Sequence, residues 1–383
     1  MAFAGFGLAA TVGISGCGAG SDSAEGGSGS GSGESAGTPK EKVAAAFQNF
    51  ENSSSAGFTL KLDSSTADIE KINTAQDSAD KLTAQDKKEI AEVLKGKVTL
   101  NVTAPEGKTF ADTTDSSAAN SKDLLKDPAA FEAALKDSGS VAMSVVYGDS
   151  GLVDFATKDG VFYLRTDADK IAELADQNLS SATGMLGQLP PVIATPAEKL
   201  LGGEWVSLDM VKAVQVLDQQ GLLDQLASAD EGTAAGMAAD PAAAQNLVRS
   251  LAASYDSDSQ VTEVDGGYQV SVPVEKTTAA VKDDLVDLLG QDAATDLVKE
   301  LNSSPTENVV FTVKVDDDKL TGLNLDLVQF LDKPVDDATF AVDLAIDPEA
   351  SEVQVPSGAT AIDIEGILNL IPADTLTSLG SEL

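Results

Sequence analysis

Apolar and polar residues alternate along this chain with two periods. Val43, Phe47 and Phe50 recur at i, i+4 and i+7, which predicts a short helix with one apolar face. GFTLKLDS then sets Phe58, Leu60 and Leu62 between Thr59, Lys61 and Asp63, the pattern of a half-buried strand. TAQDKKEIAEVLKGK opens with the capping-box spacing of Thr83 and Asp86, carries an apolar trio Ile90, Val93 and Leu94, and meets a stop at Gly96. In VTLNVT, Val98, Leu100 and Val102 face one way. Asp127-Pro128 pairs an N-cap with proline at the first helical position, so a helix starts there and ends near Gly139.

Strands follow in series: SVAMSVVY, GLVDFAT and VFYLRT, separated by GDS and KDG turns whose shortness requires antiparallel hairpins. After a helical, Gly/Pro-rich stretch, GEWVSLD carries the sole tryptophan, Trp205, and runs into a helix through Val211, Val214 and Leu217. Asp240-Pro241 opens another, with Leu247, Val248 and Leu251 on one side. The DPAA at 127 and at 240 reads as two helix starts sharing capping chemistry rather than as a duplication. QVTEV and YQVSVPV form a hairpin, two helices fill the stretch between Thr277 and Asn302, and NVVFTVKVDDDKLTGLNLDLVQF is a long hairpin. In it Val309, Phe311, Val313 and Val315 alternate, as do Leu323, Leu325 and Leu327. ATFAVDLAID, with Phe340, Val342, Leu344 and Ile346 inward, adds a last strand. With about ten strands in consecutive hairpins and helices between groups, the expected class is α+β, a large curved antiparallel sheet with helices covering one face, and not a βαβ fold.

The first 40 residues follow neither period. Residues 1–16 (MAFAGFGLAATVGISG) are small, apolar and uncharged, and too short to span a bilayer as a stable helix. They read as the apolar region of an export signal. Ile14, Ser15, Gly16 and Cys17 then resemble the bacterial lipobox, in which a diacylglyceryl group joins the Cys sulfur and the peptide is cut just before it. A Lys or Arg after Met1, usual in such signals, is missing. Residues 17–40 supply the lipidated Cys17 and a Gly/Ser-rich tether of about 22 residues, with a root-mean-square span of roughly 25 Å. The expected layout continues with one α+β half-barrel-like domain over 41–365 and a C-terminal helical tail over 366–383.

Composition removes most chemistries. The formal net charge of the 383-residue chain is -37, from 25 Lys and Arg against 62 Asp and Glu, and its arginines are Arg165 and Arg249. That balance repels nucleic acid and anionic headgroups, so no nucleic-acid partner is expected and acyl chains must hold the protein at the membrane. The absence of histidine removes His triads, His metal sites and imidazole bases. One cysteine allows neither an intramolecular disulfide nor a thiolate cluster. Asp316, Asp317 and Asp318 sit where a hairpin must turn. DSDSQVTEVDGG starts like a calcium loop at Asp256 and Asp258, but Gln260 and Val261 occupy the positions of a ligand and the required glycine. No nucleophile elbow, P-loop or dinucleotide fingerprint is present, and lone serines and lysines give no spacing signal. No catalytic residue, metal or cofactor is expected. Trp205 reads as a packing anchor.

Lipobox, tether, FTLKLDS, the GLVDFATKDGVFYLRTD hairpin, GEWVSLD, GYQVSVPV, FTVKVDDDKLTGLNLDL and a terminal strand reaching VPSG resemble, in order and texture over residues 41 to 358, bacterial lipoproteins of the LolA/LolB-like and LppX/LprG-like class. The resemblance implies a curved half-barrel whose helices cover its concave face and an apolar cavity that carries acyl chains. This chain is longer, with insertions around 64–95 and 275–305. On that expectation the cavity-lining set is Phe58, Leu60, Leu62, Val98, Leu100, Val102, Val309, Phe311, Val313, Phe340, Val342 and Leu344. The expected function is a lipid-anchored, extracytoplasmic lipoprotein of the cell membrane that binds or carries a lipid or other apolar ligand. The alternative is an acidic envelope scaffold with a filled core that meets a basic envelope protein. Alternation alone does not choose between a dry core and a cavity.

Overall fold

The computed structural model describes residues 37–77, 81–114, 127–175, 177–179, 184–221, 257–303 and 306–370, and the single residues 250 and 255. Cys17, the signal, the tether as far as residue 36, the helix expected at Asp240-Pro241 and residues 371–383 of the tail lie outside them. The fold is α+β. Twelve strands form one sheet in the order β12, β6, β5, β4, β3, β2, β1, β11, β10, β9, β8, β7, not closed into a barrel. The β12–β6 pair, Thr360–Ala361 beside Val206–Asp209, is parallel. The chain forms two compact units. Within the described residues, the first comprises those of 37–53, 62–91 and 250–348, the second those of 54–61, 92–221 and 349–370.

The first unit begins with helix α1, Pro39–Glu51. Thr38 caps it in a reciprocal capping box with Glu41, and Pro39 takes the first helical position, where its missing N–H costs nothing. α1 packs on strands β7 (Gln260–Val264), β9 (Asn308–Asp316) and β10 (Lys319–Asp326). It brings Val43 and Ala46, both wholly buried, while Phe47 and Phe50 stay half-buried. β8 (Gly267–Pro273) pairs with β9 so that Tyr268, Val270 and Val272 lie opposite Val313, Phe311 and Val309. A bulge at Thr321 then shifts the β9–β10 register, with Leu320 opposite Val315 but Leu323 opposite Val313. The extra residue puts Leu320 and Leu323 on one face although their numbers differ in parity. Leu323 and Leu325 meet Leu344 and Val342 of β11, Phe340–Asp347. Val43, Val270, Val313 and Leu320 are fully buried and mark the best-covered part of this unit's core.

Differences from the expected pattern have local causes. Helix α2, Thr66–Ala75, is unexpected, yet Ser65 caps it by accepting the Asp68 N–H at 3.1 Å. In α3, Ala84–Val93, Thr83 and Asp86 do exchange bonds, at 2.7 and 3.2 Å, but no residue is buried and Val93 is 58% exposed. The trio Ile90, Val93 and Leu94 is therefore not a core face. Leu327 begins a 3₁₀ turn, Leu327–Phe330, instead of extending the strand, because Asp326 accepts the Val328 N–H and ends the ladder. The two helices of the second insertion are α9, Val274–Leu289, leaving β8 directly, and α10, Gln291–Ser303. They close on a small core of Val281, Leu285 and Ala294.

The second unit holds most of β1 (Ser55–Ser64), then β2 (Gly96–Thr103), α4 (Phe110–Thr114), α5 (Pro128–Lys136), β3 (Ser140–Tyr147), β4 (Ser150–Lys158) and β5 (Val161–Thr166). Helices α6 (Ala168–Leu174) and α7 (Pro191–Leu201), strand β6, and α8 (Met210–Gln219) follow, with α11 (Ile364–Leu368) near the end of the described chain. Asp127 caps α5 through the Ala129 and Ala130 N–H groups, as expected. The β4–β5 turn sets Asp159 and Gly160 at φ 53° and 76°, the paired positive values that a two-residue hairpin needs. α7 and α8 pack on β5 and β6, and the Thr166 hydroxyl donates to the Leu200 carbonyl at 3.1 Å. α8 buries Ala213, Val214 and Val216 rather than Val211 and Leu217.

Candidate apolar ligand face

Cross-strand partners in an antiparallel sheet share a face, so register alone sorts the side chains of the second unit. Ala56, Phe58 and Leu60 of β1 stand opposite Val102, Leu100 and Val98 of β2. Those three stand opposite Val141, Met143 and Val145 of β3, which in turn meet Thr157, Phe155 and Val153 of β4. Phe162, Leu164 and Thr166 of β5 continue the row, and Leu208 and Val206 of β6 close it. The rings of Phe155 and Phe162 stack at 5.7 Å. One face of β1 to β6 is thus apolar, with Thr157, Thr166 and, at the end of β3, Tyr147 as polar side chains within it.

The opposite face carries the charge. Lys61 lies opposite Lys97, and Asp154 opposite Arg165. Arg165 donates from Nε and Nη2 to Asp154 Oδ2 at 2.9 and 2.5 Å, and its guanidinium lies 5.2 Å from the Trp205 ring centroid. Trp205 also accepts the Thr360 N–H through its carbonyl, which joins β12 to the sheet. Trp205 thus lies on the charged side, half-buried against Arg165.

Burial is uneven across this face. Ala56, Phe58 and Val206 are buried, but Leu60, Val98, Leu100, Val102, Val141, Met143, Val145, Val153, Phe155, Phe162, Leu164 and Leu208 are only half-buried. A dry, close-packed core does not leave a dozen such side chains in that state. In the first unit, Val313 and Leu344 are buried beside Val270 and Leu320, while Leu62, Val309, Phe311, Phe340 and Val342 are half-buried. Of the residues expected from the sequence, Phe58, Leu60, Val98, Leu100 and Val102 come together on the apolar face of the second unit. Leu62, Val309, Phe311, Val313, Phe340, Val342 and Leu344 belong to the first.

β3 to β5 contribute the larger share of the face, and the sequence reading did not single them out. SVAMSVVY puts apolar residues on both sides of β3, and a bulge at Leu152 breaks the alternation of β4, where Val145 pairs with Val153 but Val146 with Gly151. Among the described residues no cluster of His, Cys, Asp or Glu has metal-site geometry. Asp258 of the calcium-like segment is ion-paired with Lys276, and strand β7 occupies the positions that follow. No protein-family model matches the chain, and no curated protein matches it.

Proposed function

We propose that this chain is a lipid-anchored extracytoplasmic lipoprotein that binds or carries a lipid, or another ligand with long apolar chains, on the apolar face of its second unit. The observation that carries the reading is the half-buried state of that face from Leu60 to Leu164. Acyl chains laid on Val, Leu, Met and Phe side chains would gain about 0.8 kcal/mol per methylene removed from water. The lipobox-like ISGC at 14–17 and the resemblance of strand order to the half-barrel lipoproteins support the same reading. The scaffold alternative draws on the fully buried cluster of Val43, Val270, Val313 and Leu320 in the first unit and on the acidic composition.

Binding of an uncharged fluorescent probe such as Nile red tests the proposal. The protein should bind it, phospholipid should displace it, and Leu100→Gln together with Met143→Gln should weaken binding at least tenfold while circular dichroism stays unchanged. A ligand that binds only the native state also raises Tm. No probe binding and no rise in Tm with phospholipid would favour the scaffold.

A further inference from the structure

On the apolar face of the second unit, what is recognised is set by where the charges are absent. The cations of strands β1 to β5, namely Lys61, Lys97, Lys158 and Arg165, all fall on the opposite face by register. Among the described residues of these strands, no cation shares the apolar face with a phosphate or carboxylate brought onto it, and an unpaired charge taken out of water is strongly disfavoured. One end of the face is different. Tyr147, last residue of β3, lies opposite Gly96 on the apolar side of the register. Its hydroxyl donates to the Glu92 carboxylate, and the Lys95 ammonium lies 5.7 Å from its ring centroid. Lys95 Nζ is also 2.7 Å from Glu92 Oε2, so the cation at this end is already compensated. The rim therefore offers hydrogen-bonding groups without net charge, on a chain whose formal charge of -37 repels anions at longer range.

We infer, resting on the lipid-binding reading above, that the lipid held here has no net charge and that its polar end lies at the Tyr147 end of β3. A glycerol hydroxyl donates to the carboxylate and ester oxygens accept from the ammonium there, while the chains run over Leu100 and Met143 toward Phe155. The charge balance between Glu92 and Lys95 is what excludes an anionic headgroup.

Displacement of Nile red by dioleoylglycerol, dioleoylphosphatidylcholine and dioleoylphosphatidylglycerol, which share their acyl chains, tests the inference at one fixed ionic strength. Dioleoylglycerol, and phosphatidylcholine, whose phosphate brings its own ammonium partner, should compete at least tenfold better than the anionic lipid. Glu92→Gln frees the Lys95 charge, and should shift the preference toward phosphatidylglycerol, raising its affinity relative to that for dioleoylglycerol several-fold. Equal or better competition by phosphatidylglycerol in the wild type, or no change in lipid preference in Glu92→Gln, would overturn the charge rule and leave the apolar face as a binding site. Failure of Nile red itself to bind would overturn the lipid-binding reading and this inference with it.

Discussion

Gly139, where the chain leaves α5 for β3, takes φ +75°, and a Cβ there would stand 2.5 Å from the Thr103 carbonyl oxygen. Gly139→Ala therefore meets both a left-handed backbone and a backbone neighbour that cannot swing aside, and should cost about 1–3 kcal/mol, measured by denaturant unfolding. An unchanged midpoint would show that the β2–β3 connection relaxes freely. The sequence marks this glycine as a helix stop; the close approach of β2 needs the fold to be seen. The same limit applies to Met143. Its strand is apolar on both sides, so only the register with Leu100 and Phe155 reveals which side it takes. Leu100 was legible because β2 alternates cleanly with Thr99 and Asn101.

Elements with strong local chemistry were the easier ones to read. Asp127 caps α5 through two backbone N–H groups, and Asp127→Ala should lower stability by about 1 kcal/mol. A loss below a few tenths would mean that the helix is held by its packing on α8 alone. α3 gives a pH signature. Hydrogen bonds from the backbone N–H and then the side chain of Thr83 hold the Asp86 carboxyl below its ordinary value. A carboxylate favoured in the folded state stabilises fully above its unfolded pKa of about 4 and loses that contribution as pH falls through the lowered folded value. The difference in Tm between wild type and Asp86→Asn should thus be present at pH 6 and close at lower pH. A gap that persists to pH 2.5 would contradict the charged cap. Hairpins were legible for a similar reason, since Asp317 and Asp318 turn with φ 47° and 60° where the polar run interrupts two apolar alternations. β12 was not, because two residues carry no period, and its pairing with β6 depends on where the chain returns. α2 had a readable start at Ser65 and Asp68, but Ile69 is its only buried apolar residue and leaves little periodic signal.

For the whole molecule, the net charge and the apolar face make separate claims. A formal charge of -37 implies self-repulsion in the folded state that salt screens, so Tm should rise from low to moderate ionic strength. A constant Tm would show that the carboxylates are too dispersed to act together. The proposed anchor is tested by Cys17→Ala, which should move the protein from the membrane fraction to the soluble one; equal sedimentation of the variant would place the anchor elsewhere. Alternation along β1 and β2 made one side of the face legible, but whether a face is packed dry or left half-covered depends on which helices reach it. α7 and α8 reach β5 and β6. Mass spectrometry of the protein purified gently from its native membrane tests the central claim most directly. The account predicts a stoichiometric co-purifying lipid that Leu100→Gln with Met143→Gln removes. A folded wild-type protein that carries no lipid, and gains none when incubated with membrane extract, would contradict it.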